Sequence, residues 1–255
     1  MFARSSRREF LARTVVSSSV IALSGCSTGR RMDSQKPSSE TWGRQFSDLE
    51  GWFREAAAKH SVPGVSLAVV KDAKRAWSLG VGVEDRTSST PVTGDSVFEA
   101  ASMSKPVFAY AVMRLRQQGV LDLDRPLTKY TTERFLAGDS RLDQITARHV
   151  LSHTSGFQDI RSRQHPLRIH FTPGAKWQYS GEGFAYLQSV TSRLAGLAVQ
   201  SSCERFEMDL QVCGTDFDAY MKEHMLVPLG MTASGYLWPE AARTKVARPH
   251  DEQGQ

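Results

Sequence analysis

Ala100-Ala101-Ser102-Met103-Ser104-Lys105-Pro106-Val107-Phe108-Ala109-Tyr110 sets a hydroxyl and an amine three residues apart at the head of an apolar run. Val107, Phe108, Ala111, Val112 and Leu115 recur at helical spacing, which predicts a helix from about Ser102 to Gln118, with Gly119 as its stop. Residues three apart on a helix share a face, so Ser102 and Lys105 are expected side by side. A serine hydroxyl becomes a useful nucleophile only when a neighbouring base takes its proton. A lysine amine serves as that base when burial or nearby cations keep it neutral, and a buried helix start is expected to do so here. The spacing S-x-x-K arises by chance about once in a couple of hundred residues, so its meaning depends on its surroundings.

Upstream of this stretch, Val65 to Val70 and Arg75 to Val83 are short apolar runs separated by Lys71-Asp72-Ala73-Lys74, the pattern of a hairpin at the edge of an antiparallel sheet. Before them, Trp42, Phe46, Leu49, Phe53 and Ala57 mark an amphipathic helix ending near His60, and Pro63-Gly64 breaks it. Downstream, Leu121-Asp122-Leu123-Asp124-Arg125-Pro126 turns into a short helix, and Ile145 to Leu151 forms another with Thr146 near its start. Ser152-His153-Thr154-Ser155-Gly156 follows. Trp177-Gln178-Tyr179-Ser180-Gly181 precedes a helix read over Phe184 to Leu197. Asp216 to Leu226 is the last helix before Pro228-Leu229-Gly230-Met231, and Ala233 to Gln255 reads as loop or short strand.

The N-terminus has a different character. Arg4, Arg7, Arg8 and Arg13 precede the apolar stretch Val15 to Leu23, which ends in Leu23-Ser24-Gly25-Cys26, so residues 1–25 read as an export signal too short to span a membrane comfortably. Ser6-Arg7-Arg8-Glu9-Phe10-Leu11 resembles the twin-arginine export motif. Leu23-Ser24-Gly25-Cys26 resembles the lipobox at which bacterial lipoproteins are cleaved and acylated, here on Cys26. Polar residues 26–40 suit a flexible tether. The expected product is exported to the cell envelope and held on a bacterial membrane by a lipid.

Composition narrows the remaining classes. The chain has 255 residues, 40% of them hydrophobic, which is enough for a sizeable core. Its formal charge of +5 is largely concentrated in the leader, leaving no nucleic-acid signal. Cys26, Cys203 and Cys213 lack zinc-ligand spacing, and no metal site is suggested. Outside the cytoplasm, Cys203 and Cys213 are candidates for a disulfide pinning a surface loop.

Taken together, Val62-Pro63-Gly64-Val65, Ser102-Met103-Ser104-Lys105, Leu121-Asp122-Leu123-Asp124, Leu151-Ser152-His153-Thr154-Ser155-Gly156, Tyr179-Ser180-Gly181 and Pro228-Leu229-Gly230-Met231 resemble the serine β-lactamase and penicillin-binding protein superfamily. The likeness is to its class C β-lactamase, D-alanyl-D-alanine carboxypeptidase and esterase branch. It implies an α+β, β-lactamase/transpeptidase-like fold, with a helical domain (about residues 106–232) inserted into an α/β sandwich and the partial hydrolase domain occupying residues 41–255. It also implies roles: Ser102 is acylated, Lys105 accepts its proton, and Tyr179 relays protons to the leaving group and later activates water. His153 is expected to hold a turn by hydrogen bonding, outside the catalytic set.

Two departures bear on activity. The family's second motif is usually Tyr-x-Asn, but Gly181 stands at its third position, so Gly181 and the following Glu182 are the candidate substrate-binding residues. The Gly181 departure tilts the reading toward the esterase-like members. The family's third motif, on a sheet strand that offers an oxyanion donor, has no counterpart before Gln255. Central and C-terminal strands are therefore expected to be missing, and these 255 residues alone to be poorly active and marginally folded. The resemblance implies an ester, amide or cell-wall peptide substrate and no cofactor. The alternatives are a D-Ala-D-Ala carboxypeptidase or β-lactamase, and a non-catalytic envelope lipoprotein that binds peptidoglycan fragments.

Overall fold

The structure, a computed structural model, describes residues 39–131, 134–197, 206–207, 212–237 and 246–249. Cys26, the export signal, and Cys203 with its expected pairing to Cys213 lie outside the described residues. Helix α1 spans Ser39–Lys59, so it takes in the last two residues assigned to the tether. Strands β1 (Gly64–Lys71), β2 (Lys74–Asp85) and β3 (Thr90–Pro91) form an antiparallel sheet in the order β1-β2-β3. The expected hairpin is present, with Lys71 opposite Lys74 and both turn residues, Asp72 and Ala73, at positive φ. Such a two-residue turn matches the natural twist of the strands it joins.

The Pro63-Gly64 break has a packing reason as well as a conformational one. A Cβ on Gly64 would lie 2.3 Å from the Val83 carbonyl oxygen, so only glycine lets β1 approach β2 at this end. Helix α1 lies against β2 and buries Ala57.

The chain then enters a helical region. A 3-10 turn at Ala101–Met103 runs into α2 (Ser104–Gln117), and short 3-10 turns follow at Leu127–Lys129 and Ser140–Gln144. Helix α3 is Ala147–Leu151 and α4 is Gly181–Leu194. Strands β4 (Phe206–Glu207) and β5 (Val212–Cys213) make a two-residue ladder. Helix α5 (Gly214–Met221) continues into a π-helical turn at Lys222–Leu226. Beyond it, Val246 bridges Val97 in parallel.

Residues spaced for helical burial meet in one core. Phe108, Val112 and Leu115 of α2 pack with Leu121, Leu142, Ile145, Phe157, Tyr186, Val190 and Met221. The alternation in Leu121-Asp122-Leu123-Asp124 buries both leucines, while Asp122 Oδ1 accepts the Asp124 N–H and Asp124 pairs with Arg148 on α3. Thr146 caps α3 by accepting the His149 N–H, and the His149 ring accepts the Thr146 N–H in return.

Two of the helix starts that differ from the sequence reading bear on the site. The α-helix expected from Ser102 begins at Ser104, because Ala101 takes φ +43° and reverses the chain immediately before the nucleophile. Left-handed backbone at a non-glycine residue costs on the order of 1 kcal/mol. The helix expected from Phe184 begins three residues earlier, at Gly181, because Ser180 is its N-cap, accepting the Gly183 N–H and donating to the Gln158 carbonyl.

Candidate active site

The 3-10 turn carries Ser102, α2 carries Lys105, and the segment leading into α4 carries Tyr179. The fold brings all three together. Lys105 Nζ donates to Ser102 Oγ at 3.0 Å, and the Tyr179 hydroxyl donates to the same oxygen at 2.6 Å. Lys105 Nζ also lies 4.9 Å from the centre of the Tyr179 ring. Contrary to the expected buried helix start, Ser102 is exposed and Lys105 half-buried, so the hydroxyl is open to an arriving carbonyl.

The Lys105 hydrogen bond, followed by that with Ser102, holds the Tyr179 phenol below the usual tyrosine range, against a small opposing effect of burial. That shift favours the phenolate, the form able to take a proton from Ser102. The Ser102 oxygen thus has two candidate proton acceptors within reach, Lys105 Nζ at 3.0 Å and the Tyr179 oxygen at 2.6 Å.

His153 explains why Tyr179 sits where it does. Its imidazole stacks on the Tyr179 ring with centroids 4.5 Å apart. Its carbonyl accepts the Gln178 N–H at 2.8 Å and its Nδ1 accepts the Ser180 N–H at 3.1 Å, so one residue grips the chain on both sides of the tyrosine. This requires φ +56° at His153 and an unprotonated Nδ1. Burial, aided by the positive charge of Lys105, pushes the His153 pKa down and keeps the ring neutral.

The two residues assigned to substrate binding are placed differently from expectation. Glu182 is buried and ion-paired with Arg161, whose guanidinium donates to Oε2 at 2.6 and 2.8 Å while its backbone N–H donates to Oε1 at 2.7 Å. It therefore ties the segment after Gly156 to the first turn of α4 and is not presented to a substrate. Gly181 has its N–H taken by Asp159 Oδ1 at 3.0 Å, and a Cβ there would stand 2.6 Å from the Asp159 carbonyl oxygen. Any side chain at position 181, an asparagine included, would force the Asp159 segment or the start of α4 to shift. Asp159 and Arg161 were not legible as site residues, since their partners lie more than twenty positions away in the chain.

Behind the site, buried Asp218 accepts the Tyr236 and Leu237 N–H groups and the Lys222 ammonium, and the Tyr236 hydroxyl donates to the Ser104 carbonyl. Helix α5 thereby braces the start of α2. Among the described residues, no group of three or more His, Cys, Asp or Glu side chains is placed to hold a metal ion. No described helix is long and apolar enough to cross a membrane.

Fold and site together define a class: the β-lactamase/transpeptidase-like architecture, with a serine, a lysine and a tyrosine hydrogen-bonded at an exposed site. The chain belongs to the Beta-lactamase family, whose profile matches residues 49–255. Among its relatives, Esterase EstB of Burkholderia gladioli is 27% identical across a 234-residue alignment that covers 80% of this chain and 55% of the esterase. Penicillin-binding protein 4* of Bacillus subtilis is 25% identical over 59% of this chain and 36% of its own length. In fold, the chain is similar to D-alanine carboxypeptidase AmpC from Burkholderia cenocepacia, with a TM-score of 0.62 at 23% identity over 85% of this chain and 55% of that one. A β-lactamase/D-alanine carboxypeptidase from Pseudomonas syringae gives 0.65 at 19% identity, over 85% of this chain and 56% of that one. The chain therefore spans about half the length of these relatives, or less.

Proposed function

We propose that this protein is an exported, lipid-anchored serine hydrolase that acylates Ser102 with an ester or amide and passes the acyl group to water. The observation that carries the reading is the Ser102 oxygen set 2.6 Å from the Tyr179 hydroxyl and 3.0 Å from Lys105 Nζ, with the tyrosine held toward its ionised form. In the reaction, Ser102 Oγ bonds to the substrate carbonyl carbon as its proton passes to the Tyr179 phenolate. Collapse of the tetrahedral adduct breaks the bond to the leaving alkoxide or amine, which takes that proton from Tyr179. Water then repeats the exchange: Tyr179 accepts its proton, the hydroxide adds to the acyl carbon, and the proton returns to Ser102 as the acid departs.

Gly181 and the likeness to an esterase favour ester substrates over β-lactams. The lipid anchor rests on Leu23-Ser24-Gly25-Cys26 and is tested separately by metabolic labelling with a fatty acid, expected in the parent and lost in Cys26→Ser. The test of the hydrolase reading is intact mass of the protein after incubation with a fluorophosphonate and, separately, with a penicillin. A single fluorophosphonate adduct at Ser102, absent in Ser102→Ala, is the expected result, with nitrophenyl butyrate cleaved faster than nitrocefin. A penicillin adduct with the preference reversed would assign the carboxypeptidase or β-lactamase activity instead. Absence of any adduct would leave the peptidoglycan-binding lipoprotein as the function.

A further inference from the structure

We infer that the recess between the α1–β1 turn, the end of β2 and residues 247–249 is a binding site for a small organic ammonium ion on a short apolar body, held by the Glu84 carboxylate. The recess has a volume of about 460 Å³, within the range of small-molecule sites. It shares no residue with the Ser102, Lys105 and Tyr179 cluster, so its occupancy does not depend on the hydrolase reading.

The end of β2 builds it. Pairing of β2 with β3 slips between Val83 and Asp85, and Glu84 falls at that irregularity with only 7% of its surface exposed. Backbone hydrogen bonds fix both walls: the Val83 N–H donates to the Pro63 carbonyl on one side, and the Arg248 N–H donates to the Glu84 carbonyl on the other, each at 2.8 Å. A carboxylate withdrawn from water needs a partner. Among the described residues, none hydrogen-bonds to or ion-pairs with the Glu84 side chain, which lines the recess. The guanidinium in the wall is already committed, since Arg248 Nε donates to Asp85 Oδ2 at 2.8 Å. Exposed Glu99 adds a second carboxylate to the lining, while Val62, Pro63, Phe98 and Pro249 supply apolar surface. A primary ammonium on a short apolar tail complements such a recess: its N–H groups satisfy Glu84, its tail covers the apolar wall, and an anion is disfavoured.

The alternative is that water alone solvates Glu84. Ligand-observed NMR titration of the protein with 2-phenylethylammonium and with 2-phenylethanol separates the two, because these probes differ by an ammonium in place of a hydroxyl. The ammonium is expected to bind saturably and about tenfold more tightly than the alcohol. Glu84→Gln, which keeps the side-chain shape and removes the charge, is expected to weaken ammonium binding about tenfold. Glu99→Gln, at an exposed carboxylate, is expected to weaken it about twofold. Val62→Trp fills the recess without touching either charge and is expected to abolish binding, so it locates the site even where Glu84→Gln does not fold. Equal affinity for the two probes, no saturable binding of the ammonium to the parent, or parent-level affinity in folded Glu84→Gln or Val62→Trp overturns the inference.

Discussion

Leu142, Ile145 and Val190 in the helical region are wholly sealed, whereas Val70 on β1 keeps 69% of its surface and no residue of β1 is buried. The two regions use the same kinds of apolar residue, but only one closes a core around them. Ser102 lies in the turn that opens the helical region, and every group that aims it comes from the closed side: Lys105 from α2, Tyr179 from the segment leading into α4, and His153 from the turn after α3. Contacts of 2.6 and 3.0 Å at an exposed site thus depend on a packed region behind it, while the sheet contributes its strands to shape and little to aim.

The largest expected effect breaks the closed side. Leu142→Ala empties a fully buried position among Ile145, Phe157 and Tyr186, and is expected to cost about 3 kcal/mol in urea unfolding. Removing the buried carboxylate in Glu182→Ala strands the Arg161 backbone N–H and guanidinium and is expected to cost about 2–3 kcal/mol, together with looser Tyr179 placement and a lower rate of Ser102 labelling. A variant that labelled at the parent rate despite that loss would detach the aim of Tyr179 from the Arg161–Glu182 pair.

What could be read in advance follows the same division. The β1–β2 hairpin, α2, the Thr146 start of α3 and the fold class were legible because each depends on local periodicity, a turn or an ordered set of motifs. Ser102, Lys105 and Tyr179 were legible through the order of those motifs. The roles of Asp159, Arg161 and Glu182 were not, since they depend on chain segments 21 and 22 residues apart meeting at the first turn of α4. The start of α2 was misplaced because nothing about an alanine at position 101 announces a positive φ.

Gly181→Ala probes the seam at smaller cost. The new methyl meets the Asp159 carbonyl at 2.6 Å and displaces either that loop or the start of α4, for about 1–2 kcal/mol and a fall in labelling rate larger than the loss of stability explains. Acid acts on the same place reversibly. His153 has a pKa in the fold below its ordinary 6.5, so its neutral form contributes stability that is fully present above 6.5 and lost as pH falls through the depressed value. Protonation gives Nδ1 a hydrogen it cannot share with the Ser180 N–H. The contribution of His153 to the labelling rate is therefore expected to hold through 6.5 and to fall only as pH drops through that depressed value, and His153→Asn to alter that acid limb. Tyr179 works as the phenolate, so the labelling rate is expected to rise with pH through its pKa; with Lys105 replaced in Lys105→Met, the phenol returns toward its usual range and that rise moves to higher pH.

The smallest effect sharpens the comparison from the open side. Val70 lies beside the register shift between Val69 and Val70, on the outer strand of the three-stranded sheet, and is mostly solvated. Exchanging it for threonine keeps the branched shape suited to a strand and adds a hydroxyl that water can satisfy, so the unfolding free energy is expected to stay within about 0.5 kcal/mol of the parent. The measurement is informative because burial and exposure give different answers. A buried valine-to-threonine change leaves the hydroxyl without a partner and costs about 1–3 kcal/mol. A loss of that size would show that β1 is covered at Val70 in solution and would remove the contrast between the two regions, while a negligible loss would show that this face of the sheet stays open.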